Sequence, residues 1–233
     1  MRLSIMQPYV FPYIGYFQLI EATDTIVFYD DVNYIKRGWI NRNRILMNGD
    51  AFLFTVPVEK ISQNKLILEI KPIVDPKFRG KLFSQVKSAY RKAPYYKEVI
   101  EILETVFSEH YDNIADLSIS SILAIYDYLG KEIKWVKSSL LSPETKGMDK
   151  ADRLIQISKK MNCEDYINAI GGMSLYSKDY FKANGINLGF IRPQDVNYKQ
   201  FENDFVPWLS IIDVLMFNDK AALQQHFEAY EII

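Results

Sequence analysis

Strand-length and helix-length apolar patterns alternate at both ends of this chain, and no other feature restricts its fold as much. Residues 3–7 form a short apolar run that stops at Pro8. A turn marked by Pro12 and Gly15 follows, then an apolar stretch over 16–22 and a second strand-like run over 25–29. Strand, turn, helix, strand in that order is a parallel unit, whose ligand-facing turn lies at the carboxyl end of the first strand. Residues 8–15 occupy that place. The final third alternates again. Its pattern predicts a strand over 133–136, a helix capped by Asp149 and running through Met161, and a strand over 166–170 ending at Gly171-Gly172. A short helix over 177–183 stopped by Asn184-Gly185, a strand over 186–191 and helices over 209–217 and 221–230 complete it. Such alternation predicts an α/β fold with a Rossmann-like, largely parallel sheet.

Between these ends the period changes. Residues 51–58 and 65–73 read as further strands, closed by Pro57 and Pro72. Over 78–129 the apolar residues recur at three and four, which fits three helices, with Pro94 separating the first two and Gly130 stopping the third. No repeat, low-complexity tract or long linker divides the 233 residues. At roughly 100–200 residues per domain, a single α/β domain spanning 1–233 is expected, with a helical insertion at about 77–130. Charge divides the same region: residues 60–97 hold ten Lys or Arg against two acids, and 98–132 hold eight acids against one Lys. Two facing helices of opposite sign would account for this; a basic ligand platform is the other reading.

Composition narrows the chemistry. The 28 Lys and Arg nearly balance 29 Asp and Glu, so no whole-chain field would hold nucleic acid or an anionic membrane, and any anion site must be local. The lone Cys163 cannot form an internal disulfide, which fits a reducing, cytoplasmic setting. No window approaches the roughly 18–20 apolar residues of a membrane span. With two histidines and one thiol, a zinc site or a His-based triad has little to draw on, so neither a metal nor a cofactor is expected.

Candidate site residues cluster in a few segments. In 6–16, MQPYVFPYIGY, two prolines stiffen the backbone and Gly15 allows a sharp turn or a close approach to a ligand. A helix starting near Gly15 would aim free N–H groups at an anion, beside hydrogen-bonding Gln7, Tyr13 and Tyr16. A rigid corner with core aromatics suits the same residues. In 33–45, NYIKRGWINRNRI, the cations Lys36, Arg37, Arg42 and Arg44 sit among Asn41, Asn43 and Trp39 with no acid between them. Guanidinium groups for phosphate, amides for hydroxyls and an indole face for a ring are what an anionic, ring-bearing ligand needs; a solvated basic loop is the alternative. Lys146 in 142–157 could close over a phosphate, and Gly171 and Gly172 follow a strand in YINAIGGMSLY, although the full dinucleotide fingerprint is absent. Asp213 falls in an apolar helix within FENDFVPWLSIIDVL, as a buried partner of a cation or as a surface acid.

Taken in order, MQPYVFPYIGYFQLI at 6–20, YDDVNYIKRGWINRNRI at 29–45, TKGMDKADRLI at 145–155, YINAIGGMSLY at 166–176 and DFVPWLSIIDVLMFN at 204–218 resemble the WbqC-like protein family of bacteria. The resemblance spans nearly the whole chain. It implies a role in O-antigen, lipopolysaccharide or other surface-polysaccharide synthesis, because such proteins are encoded among genes for these polymers. The first unit is also similar to nucleotidylyltransferases and class I aminoacyl-tRNA synthetases, whose loop after the first strand carries a His-x-Gly-His motif. Tyr13-Ile14-Gly15-Tyr16 stands in that place without either histidine, so this similarity speaks to fold, and the tyrosyl hydroxyls remain as hydrogen-bond donors.

Together these readings predict a transferase acting on a nucleotide-linked (amino) sugar, with amino-acyl or acyl transfer as the candidate reactions. A nucleotide or nucleotide sugar is the expected small-molecule partner, with no nucleic acid and no membrane span. Lys36, Arg42 and the helix start at Gly15 would hold phosphates, Trp39 would pack on a ring, and Asp30 would serve as general base, although strand alternation leaves open which of Asp30 and Asp31 faces the site. The competing expectation is a non-catalytic sugar-nucleotide or scaffold protein of the same pathway. The sequence leaves the oligomeric state open.

Overall fold

In the computed structural model, which describes residues 1–62, 64–202 and 204–233, five parallel strands and one antiparallel edge strand make the main sheet. It opens with β1 (Arg2–Met6), α1 (Ile14–Glu21) and β2 (Thr25–Phe28). A hairpin, β3 (Arg42–Met47) and β4 (Asp50–Thr55), stands apart from that sheet. Three helices follow: α2 (Pro76–Tyr90), α3 (Tyr96–Ser108) and α4 (Ile114–Leu129). The alternation then resumes with β5 (Trp135–Lys137), α5 (Ser138–Leu141), α6 (Lys150–Lys160), β6 (Asp165–Ala169), α7 (Lys178–Ala183) and β7 (Asn187–Pro193). The chain closes with α8 (Ile211–Phe217), α9 (Lys220–Phe227) and β8 (Tyr230–Ile232).

Strand order is β5-β2-β1-β6-β7-β8. The chain first winds outward from β1 on one side and then from β6 on the other, so the winding direction switches between β1 and β6; in open α/β sheets ligands bind outside the carboxyl ends of strands at such a point. Register follows side-chain alternation. On β2, Val27 joins a core with Leu154 and Ile157 of α6 and Phe181 of α7, while Ile26 and Phe28 face the core built by α1, α4 and α9. Every residue of β2 is buried, as expected for a parallel strand covered on both faces.

The three helices expected over 78–129 are present. Asp75 caps α2 by accepting from the Phe78 amide, and Gly130, at φ +71°, ends α4 in the left-handed conformation. Their apolar faces enter the same core as α1, β3 and α8. Ser121 Oγ accepts from the Phe11 amide, and Tyr90 Oη accepts from the Leu46 amide and donates to the buried Asp213. Burial pushes the Asp213 carboxyl up, while the hydroxyls of Tyr198 and Tyr90 and the Gln200 amide oppose that shift by donating to it. Asp213 is therefore held by neutral donors rather than by a cation.

Three expectations fail locally. Residues 65–73 were predicted to be a strand but form a 3-10 turn at Ile67–Glu69, because Glu69 accepts from the Leu66 amide and Ile67 and Ile70, three apart, both turn inward. Residues 42–47, read as part of a basic loop, are a strand instead. Asn48 and Gly49, both at positive φ, make the two-residue connection that closes the hairpin with β4. The helix expected over 221–230 stops at Phe227, and the tail pairs antiparallel with β7.

Candidate functional site

The turn after β1 is a built corner. Phe11 is fully buried at φ +40°, a region that side chains avoid, and three hydrogen bonds hold it there. Its amide donates to Ser121 Oγ, and its carbonyl accepts from Asn43 Nδ2 and Ser210 Oγ, each at 2.7 Å. The Val10 amide donates to the Ile40 carbonyl, Ile211 to Pro12, and Ser210 to Arg44. The corner, the start of β3 and the chain entering α8 are thereby stitched together at the carboxyl end of β1.

Where they meet lies a recess of about 250 Å³, walled by Tyr9, Tyr13, Trp39, Arg44 and Trp208, with Pro12 and Asn43 completing its lining. The guanidinium of Arg44 stacks over Trp39 at 4.9 Å from the ring centroid, and that of Arg42 lies 5.6 Å from it. Arg42 donates from Nε to the Gly38 carbonyl, whereas the Nε of Arg44 is buried without a hydrogen-bond partner among the described residues. Among the described residues, no carboxylate forms an ion pair with either arginine. Tyr13 and Trp208 lie ring to ring at 6.1 Å. Burial, reinforced by Tyr13, pushes the Tyr9 phenol up to about 12, and burial raises Tyr13 as well. Both therefore stay protonated at neutral pH and can donate hydrogen bonds.

The sequence-derived candidates divide sharply by position. Trp39, Tyr13 and Asn43 line the recess, and Arg42 stands beside it over Trp39. Gly15 acts through Tyr13: a methyl group added at Gly15 would lie 2.3 Å from Tyr13 Cε2, so the phenol lies across the start of α1 only because residue 15 has no side chain. Tyr16 is buried and donates to the Gln7 carbonyl, and Gln7 Oε1 accepts from Tyr9. Asn41 turns inward, bonded to Tyr34 and the Val56 carbonyl. Lys36 and Lys146 are exposed on loops. Gly171 and Gly172 lie in the turn after β6, where a methyl group at Gly172 would meet Asn168 Nδ2 at 2.7 Å. Neither 142–149 nor 171–176 contributes to the recess. We expect Gly15→Ala to displace the Tyr13 ring and lower stability by about 1–3 kcal/mol, the usual result of overpacking, as urea unfolding would show.

Asp30 and Asp31 are both buried at the carboxyl end of β2. Asp30 accepts from the Ser139 amide at 3.0 Å and the Ser139 hydroxyl at 2.6 Å, satisfying a first-turn N–H of α5. Asp31 accepts from Ser138 Oγ at 2.5 Å and pairs with Arg153 at 2.5 Å. Arg153 also donates to Thr145 Oγ1 and lies over the Tyr29 ring. These contacts fasten α5 and α6 to the sheet. Burial raises the Cys163 thiol to about 11, so it carries little nucleophilic thiolate at neutral pH.

Sequence reasoning passed over Tyr9 and Trp208 as ligand-site residues and placed Arg44 only in a cluster of four cations. The Asn48-Gly49 dipeptide marks a hairpin whose alternation would have put Arg42 and Arg44 on one face. Trp208 carried a weaker signal, an indole beside Pro207 just ahead of a helix; it is 63% exposed and sits at φ +62°. Such a bulky residue at positive φ is uncommon, and strained residues of this kind gather at functional sites.

Among known proteins, the uncharacterized protein Rv1507c of Mycobacterium tuberculosis is 26% identical over 222 residues, covering 93% of each chain. No solved structure matches the chain. The WbqC-like protein family matches residues 7–225, a span that takes in the corner, the arginine-bearing hairpin, the Asp31–Arg153 pair and Trp208, and the chain belongs to that family.

Proposed function

We propose that this protein is a transferase of bacterial surface-polysaccharide synthesis, of the O-antigen type, that acts on a nucleotide-linked sugar held in the Trp39–Arg44 recess. The observation that carries this reading is Arg44: a guanidinium stacked on an indole, without an acidic partner among the described residues, on the wall of an aromatic cavity. A phosphate would take the charge-assisted bonds that no carboxylate takes. Trp39 and Trp208 offer faces for a base or sugar ring, and the protonated Tyr9 and Tyr13 offer donors to its oxygens. Membership of the WbqC-like family is consistent with the pathway. Amino-acyl or acyl transfer is the reaction we favour, with positioning and charge stabilisation supplying most of the acceleration.

A second reading, a sugar-nucleotide-binding protein without turnover, draws on one observation: among the described residues, no carboxylate, histidine or thiol lines the recess. Calorimetric titration with UDP-glucose and UDP-N-acetylglucosamine, set against uridine and free glucose, tests the binding step. We expect the diphosphate-bearing compounds to bind and the uncharged ones not to; equal or absent binding of all four would overturn the nucleotide-sugar reading. Mass spectrometry of mixtures with acyl and amino-acyl donors then separates transferase from binding protein, since only the former yields product.

A further inference from the structure

Behind the Tyr13–Trp208 pair lies a second cavity, of about 350 Å³, between the start of α1 and the chain leaving β7. Tyr13 and Trp208 line both spaces and form the partition between them. The two sides differ in charge. The first holds Arg44; the second has no cation among its described lining residues and one carboxylate, Asp195, which forms no ion pair among the described residues. Asn197 adds an amide to its wall, and Phe205 and Tyr198 add ring faces.

Its floor includes Gln18, which is fully buried. Gln18 Nε2 donates to the His226 and Ala229 carbonyls at 3.0 and 2.9 Å, which fixes the amide orientation and leaves Oε1 an acceptor without a partner among the described residues. An unpaired buried acceptor is costly. The anion-attracting end of α1 also borders this cavity, but the Tyr13 ring lies across it at Gly15. Polar groups that accept, a carboxylate and aromatic faces together suit a ring with apolar C–H faces and a positively charged donor, and they disfavour an anion.

We propose that this second cavity binds an amine-bearing sugar, with the ring against Trp208 and the ammonium group near Asp195, next to the nucleotide-sugar recess. The inference rests on the nucleotide-sugar reading for its place in a reaction, but its binding chemistry stands on its own. Trp208 would then serve two ligands at once, one on each side of the partition, which gives its strained and exposed conformation a use.

Saturation-transfer NMR and calorimetry on the full chain would test it with three probes: methyl glucosaminide, methyl glucoside and methyl glucuronide. The aminosugar should bind best and the glucuronide worst. Asp195→Asn should erase most of the preference for the aminosugar over the glucoside, by about tenfold, without weakening the glucoside, and Trp208→Ala should weaken both. Binding of none of the three, or a preference unmoved by Asp195→Asn, would overturn the proposal. A separate titration of the wild-type protein with UDP-glucose keeps the two readings apart. If UDP-glucose binds and no aminosugar does, only this inference fails; if the aminosugar binds in an Asp195-dependent way and UDP-glucose does not, the recess reading fails instead.

Discussion

Replacing Arg153 by Met is expected to lower the unfolding free energy by about 3–5 kcal/mol, the usual cost of stranding one charge of a buried pair. Both partners of the Asp31–Arg153 bridge are 5% exposed, and the guanidinium also reaches Thr145 and the Tyr29 ring. The substitution removes the cation and leaves the Asp31 carboxylate buried with the Ser138 hydroxyl as its remaining side-chain donor. In a chain of this size, each kcal/mol shifts the melting temperature by roughly 2–4 °C, so a scanning calorimeter would register a fall of roughly 6–20 °C. The double variant Asp31→Leu with Arg153→Met should recover most of the loss, because an apolar pair of similar volume carries no desolvation penalty. A single-variant loss below about 1 kcal/mol would show that the bridge is not what fastens α6 to the carboxyl end of β2.

The second large effect concerns binding. Arg44→Ala is expected to reduce affinity for UDP-glucose by roughly 10- to 150-fold, since hydrogen bonds to a charged group contribute about 1.5–3 kcal/mol and each 1.4 kcal/mol is tenfold. The fold should survive, because the Arg44 side chain carries no ion pair among the described residues and contacts Trp39 from the recess side. Calorimetry reports the affinity, and an unchanged melting profile confirms that the loss is local. Arg42→Ala makes a useful contrast. Its Nε holds the Gly38 carbonyl, so that variant should also disturb the turn carrying Trp39. If Arg44→Ala binds UDP-glucose as tightly as the parent, the phosphate role assigned to the recess is wrong.

These two experiments bear on different layers of one design. The buried aspartates after β2 fasten the helices that cover the sheet, while the strained corner at Phe11 aims the aromatic wall outward. Asp30 shows why the layers are easily confused. Its place after a strand and near a run of cations suggests a base, and the Ser139 hydroxyl and amide, from a segment more than a hundred residues away, donate to its oxygens. A carboxylate so placed orders α5.

Local pattern alone determined the α/β class of this protein and most of its helices and strands. Alternation of strand-length and helix-length runs, the three-and-four spacing over 78–129, and the stops at Pro94 and Gly130 act through backbone geometry within a few residues, and each reappears in the structure. The 33–45 segment stands out in the sequence because its cations cluster with an indole, and the structure places its Trp39, Asn43 and Arg44 on the wall of the recess. Which of those side chains points outward was decided elsewhere. Asn41 and Asn43 are drawn inward by the Val56 and Phe11 carbonyls, and Trp208 meets Tyr13 only because Ser210 pairs with β3 and the corner from nearly two hundred residues away. The aspartate pair followed the same rule, with partners at Ser138 and Arg153. Hydrogen-bond satisfaction and burial of charge are long-range conditions, met by whichever group the folded chain brings near. Secondary structure could therefore be read along the sequence, while the orientation and role of each polar side chain were fixed only by tertiary packing.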